Sequence, residues 1–131
     1  MKILVADDDA VARLLVSKTL SRLGEVTSCE DGAEACREFS EALAANQAFD
    51  LVCLDIMMPN MTGLEALQHI RREEVESGQG PSQPTPVIMI TALDANSEID
   101  IAFRELCDAY LVKPIHPDRL INVATLLCPS S

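Results

Sequence analysis

The sequence has no tryptophan, one tyrosine and three phenylalanines, so aromatic residues make up only 3% of its 131 positions. Its core must therefore be aliphatic. Basic residues are also scarce, with 10 Lys and Arg against 21 Asp and Glu, for a net charge of −11. That balance argues against nucleic acid as a direct partner, because phosphate binding needs a basic surface. It argues equally against anionic membranes. Most of the acids serve solubility, the strand-end acids excepted. No CxxC pair and no Cys/His metal spacing occurs. The five cysteines (Cys29, Cys36, Cys53, Cys107 and Cys128) are odd in number and read as reduced, which places the chain in the cytoplasm. Cys36 and Cys53 fall on apparent core faces, where a free thiol acts as a small hydrophobe. Long apolar runs are missing as well. Met1-Lys2 opens onto four apolar residues, too few for a signal peptide, and nothing approaches a membrane span.

What is present is a chain that is 48% hydrophobic and of one-domain length, read as a single domain over 1–131 with a core to about 127 and a short tail at 128–131. A chain of this size buries roughly two-thirds of its unfolded surface and needs no disulfide or structural metal to fold. Its organising stretch is LVCLDIMMPNMTG, residues 51–63. The apolar run reaches one carboxylate, Asp55, then leaves through Pro59 and Asn60 to Gly63. This reads as a strand buried on both faces. In α/β proteins, ligands sit beyond the carboxyl ends of such strands.

Strand and helix alternate five times. Residues 3–6 form a strand ended by Asp7-Asp8-Asp9. Ala12, Leu15, Val16, Thr19, Leu20 and Leu23 give a helical face, with Gly24 as its left-handed stop. Residues 25–29 are a weak edge strand. Asp31 and Glu34 have capping-box spacing before a helix to about 45 that turns Cys36, Phe39 and Leu43 inward. Thr62 and Glu65 form a second capping box. The helix after it carries Leu64, Leu67 and Ile70 and frays in the charged run 71–76. Residues 77–86, SGQGPSQPTP, read as a mobile surface loop. A strand over 87–90 ends at Thr91, a short helix covers 97–106, and a strand over 109–112 ends at Lys113-Pro114. Pro117 suits the first turn of a last helix. Strict alternation implies a parallel sheet covered on both faces.

All carboxyl ends of a parallel sheet share one edge, so Asp7, Asp8, Asp9, Asp55, Thr91 and Lys113 can converge. Crowded carboxylates repel unless a cation intervenes. Oxygen ligands without His or Cys favour Mg²⁺. One of the first acids, Asp8 or Asp9, also caps the first helix. A carboxylate beside a metal can act as a nucleophile and form an acyl phosphate. Lys113 would neutralise the transferred group, and the Thr91 hydroxyl would bond one of its oxygens.

At this point the motifs ILVADDD, LVCLDIMMPNMTGLE, PVIMITA and AYLVKPI, in that order, resemble the receiver domain of two-component response regulators over essentially the whole chain. The resemblance implies a flavodoxin-like (βα)5 fold with strand order 2-1-3-4-5. It implies Asp55 as phosphoacceptor, Asp8, Asp55 and the Met57 backbone carbonyl as Mg²⁺ ligands, and Asp7 acting through water. It further implies Thr91 and Lys113 as the groups that meet the phosphoryl oxygens, Tyr110 as the switch aromatic, and a cis bond at Lys113-Pro114. The implied activity is a regulatory phosphoacceptor rather than an enzyme with turnover, limited to self-phosphorylation and autodephosphorylation. A histidine kinase or phosphotransfer protein would be the donor. A downstream protein target would bind the face of the fourth helix, fifth strand and fifth helix, about residues 96–127, and a phosphorylation-dependent homodimer is a further expected partner.

Three departures stand out. Thr62 replaces a common aspartate. Met57 and Leu93, flanking the phosphoryl position, are apolar and cannot hold an attacking water, so a long-lived phosphoryl group is expected. The loop at 77–86 is longer than usual for the family and suggests receivers that accompany hybrid kinases. The competing reading is a haloacid-dehalogenase-type phosphatase with Asp7 as nucleophile. The pattern Asp7-x-Asp9-x-Val11 fits it formally, but the late acidic motif is absent and Asp55 would be idle. A third reading, a silent interaction module, has no need of all five of Asp7, Asp8, Asp55, Thr91 and Lys113.

Overall fold

The computed structural model describes residues 1–77, 84–92 and 107–129. Five strands, β1 (Lys2–Ala6), β2 (Glu25–Cys29), β3 (Leu51–Asp55), β4 (Val87–Thr91) and β5 (Ala109–Val112), form one sheet. Its order is β2-β1-β3-β4-β5, as expected, and every pairing is parallel. Among the described residues there are four helices: α1 (Ala10–Leu20), α2 (Gly32–Ala44), α3 (Gly63–Ser77) and α4 (Pro117–Leu127). The expected helix at 97–106 lies outside the described residues.

The central strands β3 and β4 are buried along their whole length, as continuous apolar runs in a two-sided sheet require. Alternate side chains divide between two cores. Leu4, Ala6, Val52, Leu54 and Met89 meet Phe39, Leu67 and Ile70 of α2 and α3. Ile3, Val5, Leu51, Cys53, Ile88 and Leu111 meet Val16 and Leu20 of α1 and Leu120 and Ala124 of α4. Burying a Leu or Ile side chain contributes about 1.5–3 kcal/mol, so the two cores hold the sheet that carries the carboxyl-end loops. All five cysteines are free thiols, and Cys29, Cys36 and Cys53 are buried.

Local signals held where the partner lies within one turn. The Thr62 hydroxyl accepts from Glu65 N–H at 3.2 Å, and the Glu65 carboxylate accepts from Thr62 N–H at 3.1 Å. Asp31 accepts from Glu34 N–H at 2.8 Å, but the Glu34 carboxylate reaches back to Glu30 N–H at 3.4 Å rather than to Asp31. Pro117 opens α4.

Other expectations need correction. α1 ends at Leu20 with Ser21 as its right-handed cap, and Gly24 is not in the left-handed region. Gly24 is required instead by space, since a Cβ there would collide with the Met1 carbonyl. Leu15, expected inward, is 38% exposed beside the more open Val11 and Leu14. The run 71–76 does not fray but continues α3 to Ser77. Arg71 holds it there, with Nη1 donating to Glu74 and to Thr85 O, each at 2.9 Å, and Nη2 pairing with Asp108 at 3.2 Å. Of the expected loop at 77–86, residues 78–83 lie outside the described residues. Ser77 closes α3, and Thr85 is buried and donates its N–H to Glu74 at 2.6 Å.

Candidate functional site

The carboxyl ends of β1 and β3 deliver the acids. Asp7 follows β1, and its N–H donates to Cys29 O of the neighbouring β2 edge at 3.1 Å. Asp9 caps α1, its carboxylate accepting from Val11 N–H at 3.0 Å and Ala12 N–H at 3.5 Å. The capping role therefore falls to Asp9 and leaves Asp8 exposed at the pocket mouth. Asp55 ends β3, and both it and Asp7 are buried. One carboxylate oxygen from each of Asp7, Asp8 and Asp55 lies within 4.8 Å of the other two.

Lys113 enters from the end of β5. Its Nζ lies 3.1 Å from Asp7 Oδ2 and 3.5 Å from Asp55 Oδ2. Its backbone N–H donates to Thr91 O at 2.7 Å, which fixes the two strand ends against each other. The Lys113-Pro114 peptide bond is cis. Thr91 is fully buried at the end of β4, between the strands that carry Asp55 and Lys113. Tyr110 lies on β5, three residues before Lys113. It pairs with Met89 in the sheet and packs, half-buried, on the α2 and α3 core. Met57 is 60% exposed beside the pocket, whereas Met58 is buried. Leu93 lies outside the described residues.

Gly63 permits this crowding. A Cβ at Gly63 would collide with Asp55 O and come within 2.8 Å of Ile56 Cα. The chain must turn under its own strand end to start α3, and the Gly63 N–H donates back to Ile56 O at 2.8 Å.

The electrostatics follow from the geometry. Burial and the adjacent Asp7 charge push the Asp55 carboxyl up to about 7, against the pull of Lys113. A hydrogen bond with Asp7 adds to the rise, and one from the Met57 N–H opposes it. For Lys113, burial alone would lower the pKa. Bonding to Asp7 and the charges of Asp55 and Asp7 outweigh burial and raise it. The pocket is thus short of positive charge, a state that a divalent cation would relieve. The donors are all hard oxygens, which suits Mg²⁺.

Two residues at this site gave little signal in the sequence. Arg13 Nη1 donates to Asp7 O at 2.8 Å, and its Nη2 lies 3.8 Å from Glu30. Asn60 adopts φ 68° and donates from Nδ2 to Asp31 at 3.1 Å. An arginine one helical turn into α1 was a usable hint for the first. The second depends on how two loops meet.

A five-stranded parallel sheet of this order is the flavodoxin-like doubly wound class, in which ligands sit beyond the carboxyl ends of the strands, where these acids and the lysine gather. The chain matches the family described as response regulator receiver domain over residues 3–125, and it belongs to that family. It is 33% identical to a chemotaxis protein CheY homolog of Campylobacter jejuni over 92% of this chain and 86% of that protein. It is 35% identical to hybrid signal transduction histidine kinase G of Dictyostelium discoideum over 88% of this chain, spanning only 3% of that protein. Among solved structures it resembles the receiver domain of the histidine kinase CKI1 from Arabidopsis thaliana complexed with Mg²⁺ and BeF₃⁻. The TM-score there is 0.83 at 29% identity, covering 98% of this chain and 90% of that one. The chain is therefore a receiver module of two-component signalling. Among the described residues, no helix is long and apolar enough to cross a membrane.

Proposed function

We propose that Asp55 accepts a phosphoryl group from a phosphohistidine on a histidine kinase or phosphotransfer protein. The observation that carries this reading is the meeting of three carboxylates within 4.8 Å, with Lys113 3.5 Å from Asp55. Asp8, Asp55 and the Met57 carbonyl would hold Mg²⁺, with Asp7 acting through water. Bound there, Mg²⁺ supplies charge neutralisation for the phosphoryl oxygens. An Asp55 oxygen attacks phosphorus, the P–N bond breaks, and the leaving imidazole takes a proton from solvent. Lys113 and the Thr91 hydroxyl meet the phosphoryl oxygens.

Donor docking has a fitting surface beside this pocket. Val11, Ala12, Leu15, Pro114 and Ile115 line a groove of about 430 Å³ that also includes Asp9 and Lys113. An apolar groove opening onto the reacting lysine suits a helical phosphodonor. The output is altered binding of a protein target in the cytoplasm, or of a second copy, through the face that includes β5 and α4. A phosphorylation-driven shift of Thr91 and Tyr110 would carry the signal. The phosphatase reading is weaker. Asp7 Oδ1 already accepts from Asp9 N–H at 2.9 Å and lies 3.4 Å from Lys113 Nζ, which suits a ligand carrier better than a nucleophile.

Incubation with Mg²⁺ and acetyl phosphate, followed by intact-mass and peptide mass spectrometry, tests the assignment. Wild type gains one phosphoryl group on Asp55, and Asp55→Asn gains none. Labelling on Asp7 would replace this reading with the phosphatase one.

A further inference from the structure

The turn after Asp55 leaves the sheet at Ile56, whose N–H donates to Ile90 O at 3.1 Å, and rejoins ordered structure at Gly63. Between these anchors it is fastened sideways to the start of α2. Asn60 Nδ2 donates to Asp31 Oδ2 at 3.1 Å. The other oxygen of the same carboxylate, Oδ1, accepts from Glu34 N–H at 2.8 Å and caps α2. Asp31 thus divides its two oxygens between a helix cap and the turn.

Two contacts beside this bond make the junction close-fitting. A Cβ on Gly32 would come within 2.6 Å of Met61 O, so only glycine lets α2 approach the turn. The Cys36 Sγ lies 3.5 Å from Met61 Sδ. Asn60 itself sits in the left-handed region at φ 68°, which asparagine tolerates better than most residues. The turn so held includes Met57, whose carbonyl the proposed function uses as a metal ligand.

We propose that Asn60 and Asp31 act as one positioning unit that holds the turn over 57–62 in the geometry in which the Met57 carbonyl faces the acid pocket. Neither residue touches the reacting atoms. They act through the turn, as partners outside a metal site orient its ligands. This inference rests on the assignment of the metal to Asp8, Asp55 and Met57.

The test separates the bond from the backbone. Asn60→Gly keeps access to positive φ but removes the amide. Asp31→Ser keeps a helix cap but removes the second oxygen. Mg²⁺ binding is measured by calorimetry on wild type, both variants and the double variant, with metal-free thermal unfolding alongside. Phosphorylation by acetyl phosphate is followed against Mg²⁺ concentration. Each single variant is expected to bind Mg²⁺ about tenfold more weakly. The phosphorylation rate at saturating Mg²⁺ stays at the wild-type level. The double variant is no weaker than the worse single, because the two residues share one interaction. Unchanged Mg²⁺ affinity with a lowered unfolding temperature would assign the pair a purely structural role and overturn the inference. So would losses that add in the double variant. Saturable binding by wild type that survives Asp55→Asn and Asp8→Asn would instead remove the metal assignment on which the inference rests.

Discussion

Lys113 Nζ lies 3.1 Å from Asp7 Oδ2, although the two residues are 106 positions apart in the chain. The same ammonium is 3.5 Å from Asp55. The lysine thus partly neutralises both buried acids. On the proposed function it is also the group that a metal and a phosphoryl group would meet. The predictions below follow from this arrangement and its surroundings.

The metal-free protein should lose stability as pH rises through the window set by Asp55. Its folded pKa is about 7 against an ordinary value of 3.8. Between these values the native state holds more protons than the unfolded one, so stability falls with rising pH. The full shift is worth about 4 kcal/mol, at about 1.4 kcal/mol per pKa unit. Urea unfolding of wild type and Asp55→Asn at pH 4.5 and 7.5 measures it. The advantage of the asparagine variant should grow with pH, and excess Mg²⁺ should remove most of it at pH 7.5. An advantage independent of pH would contradict the assignment.

Met57 is 60% exposed next to Asp55 and offers no hydrogen bond to an attacking water. Met57→Asn should therefore speed loss of the phosphoryl group about fivefold, a barrier change of about 1 kcal/mol. Single-turnover decay of phosphorylated protein, followed by mass, reads this directly. An equal or slower decay in the variant would sink the idea.

Gly63→Ala forces a Cβ against Asp55 O and Ile56 Cα. Both obstacles are backbone and cannot rotate away. The variant should lose about 1–3 kcal/mol in chemical denaturation and also bind Mg²⁺ less tightly, because relief of the clash moves Asp55. Wild-type stability in the variant would mean that the turn has slack.

The groove at α1 predicts a difference between donors. Val11 lines it and is 78% exposed, so Val11→Asp should leave folding intact. Phosphorylation by acetyl phosphate should be unchanged. Transfer from a phosphorylated histidine phosphotransfer protein should slow about five- to tenfold. Equal slowing with both donors would place the effect in the pocket rather than at docking.

Strand positions and helix caps were legible because their causes are local. Val87 to Ile90 reads as a buried strand from its own residues, and Thr62 and Glu65 find each other within one turn. The sheet-edge acids were legible once the parallel sheet was inferred, since that topology gathers all strand ends on one side. Other features needed the folded chain. Periodicity assigned Leu15 inward, but α1 leaves it half-open because, with Val11, it lines the groove at Pro114 and Ile115. The persistence of α3 through its charged end depends on Arg71 meeting Thr85 and Asp108 from two other segments.

By itself, the sequence determined which of the described elements form and which carboxylates end the strands, because burial and capping act over a few residues. Only the tertiary structure decided that Lys113 leans closer to Asp7 than to Asp55, that Arg13 holds the Asp7 carbonyl, and that Asn60 ties the turn to α2. Those choices depend on distances of a few tenths of an ångström between segments far apart in the chain. Packing of the two cores around the sheet sets them, and no local pattern records them.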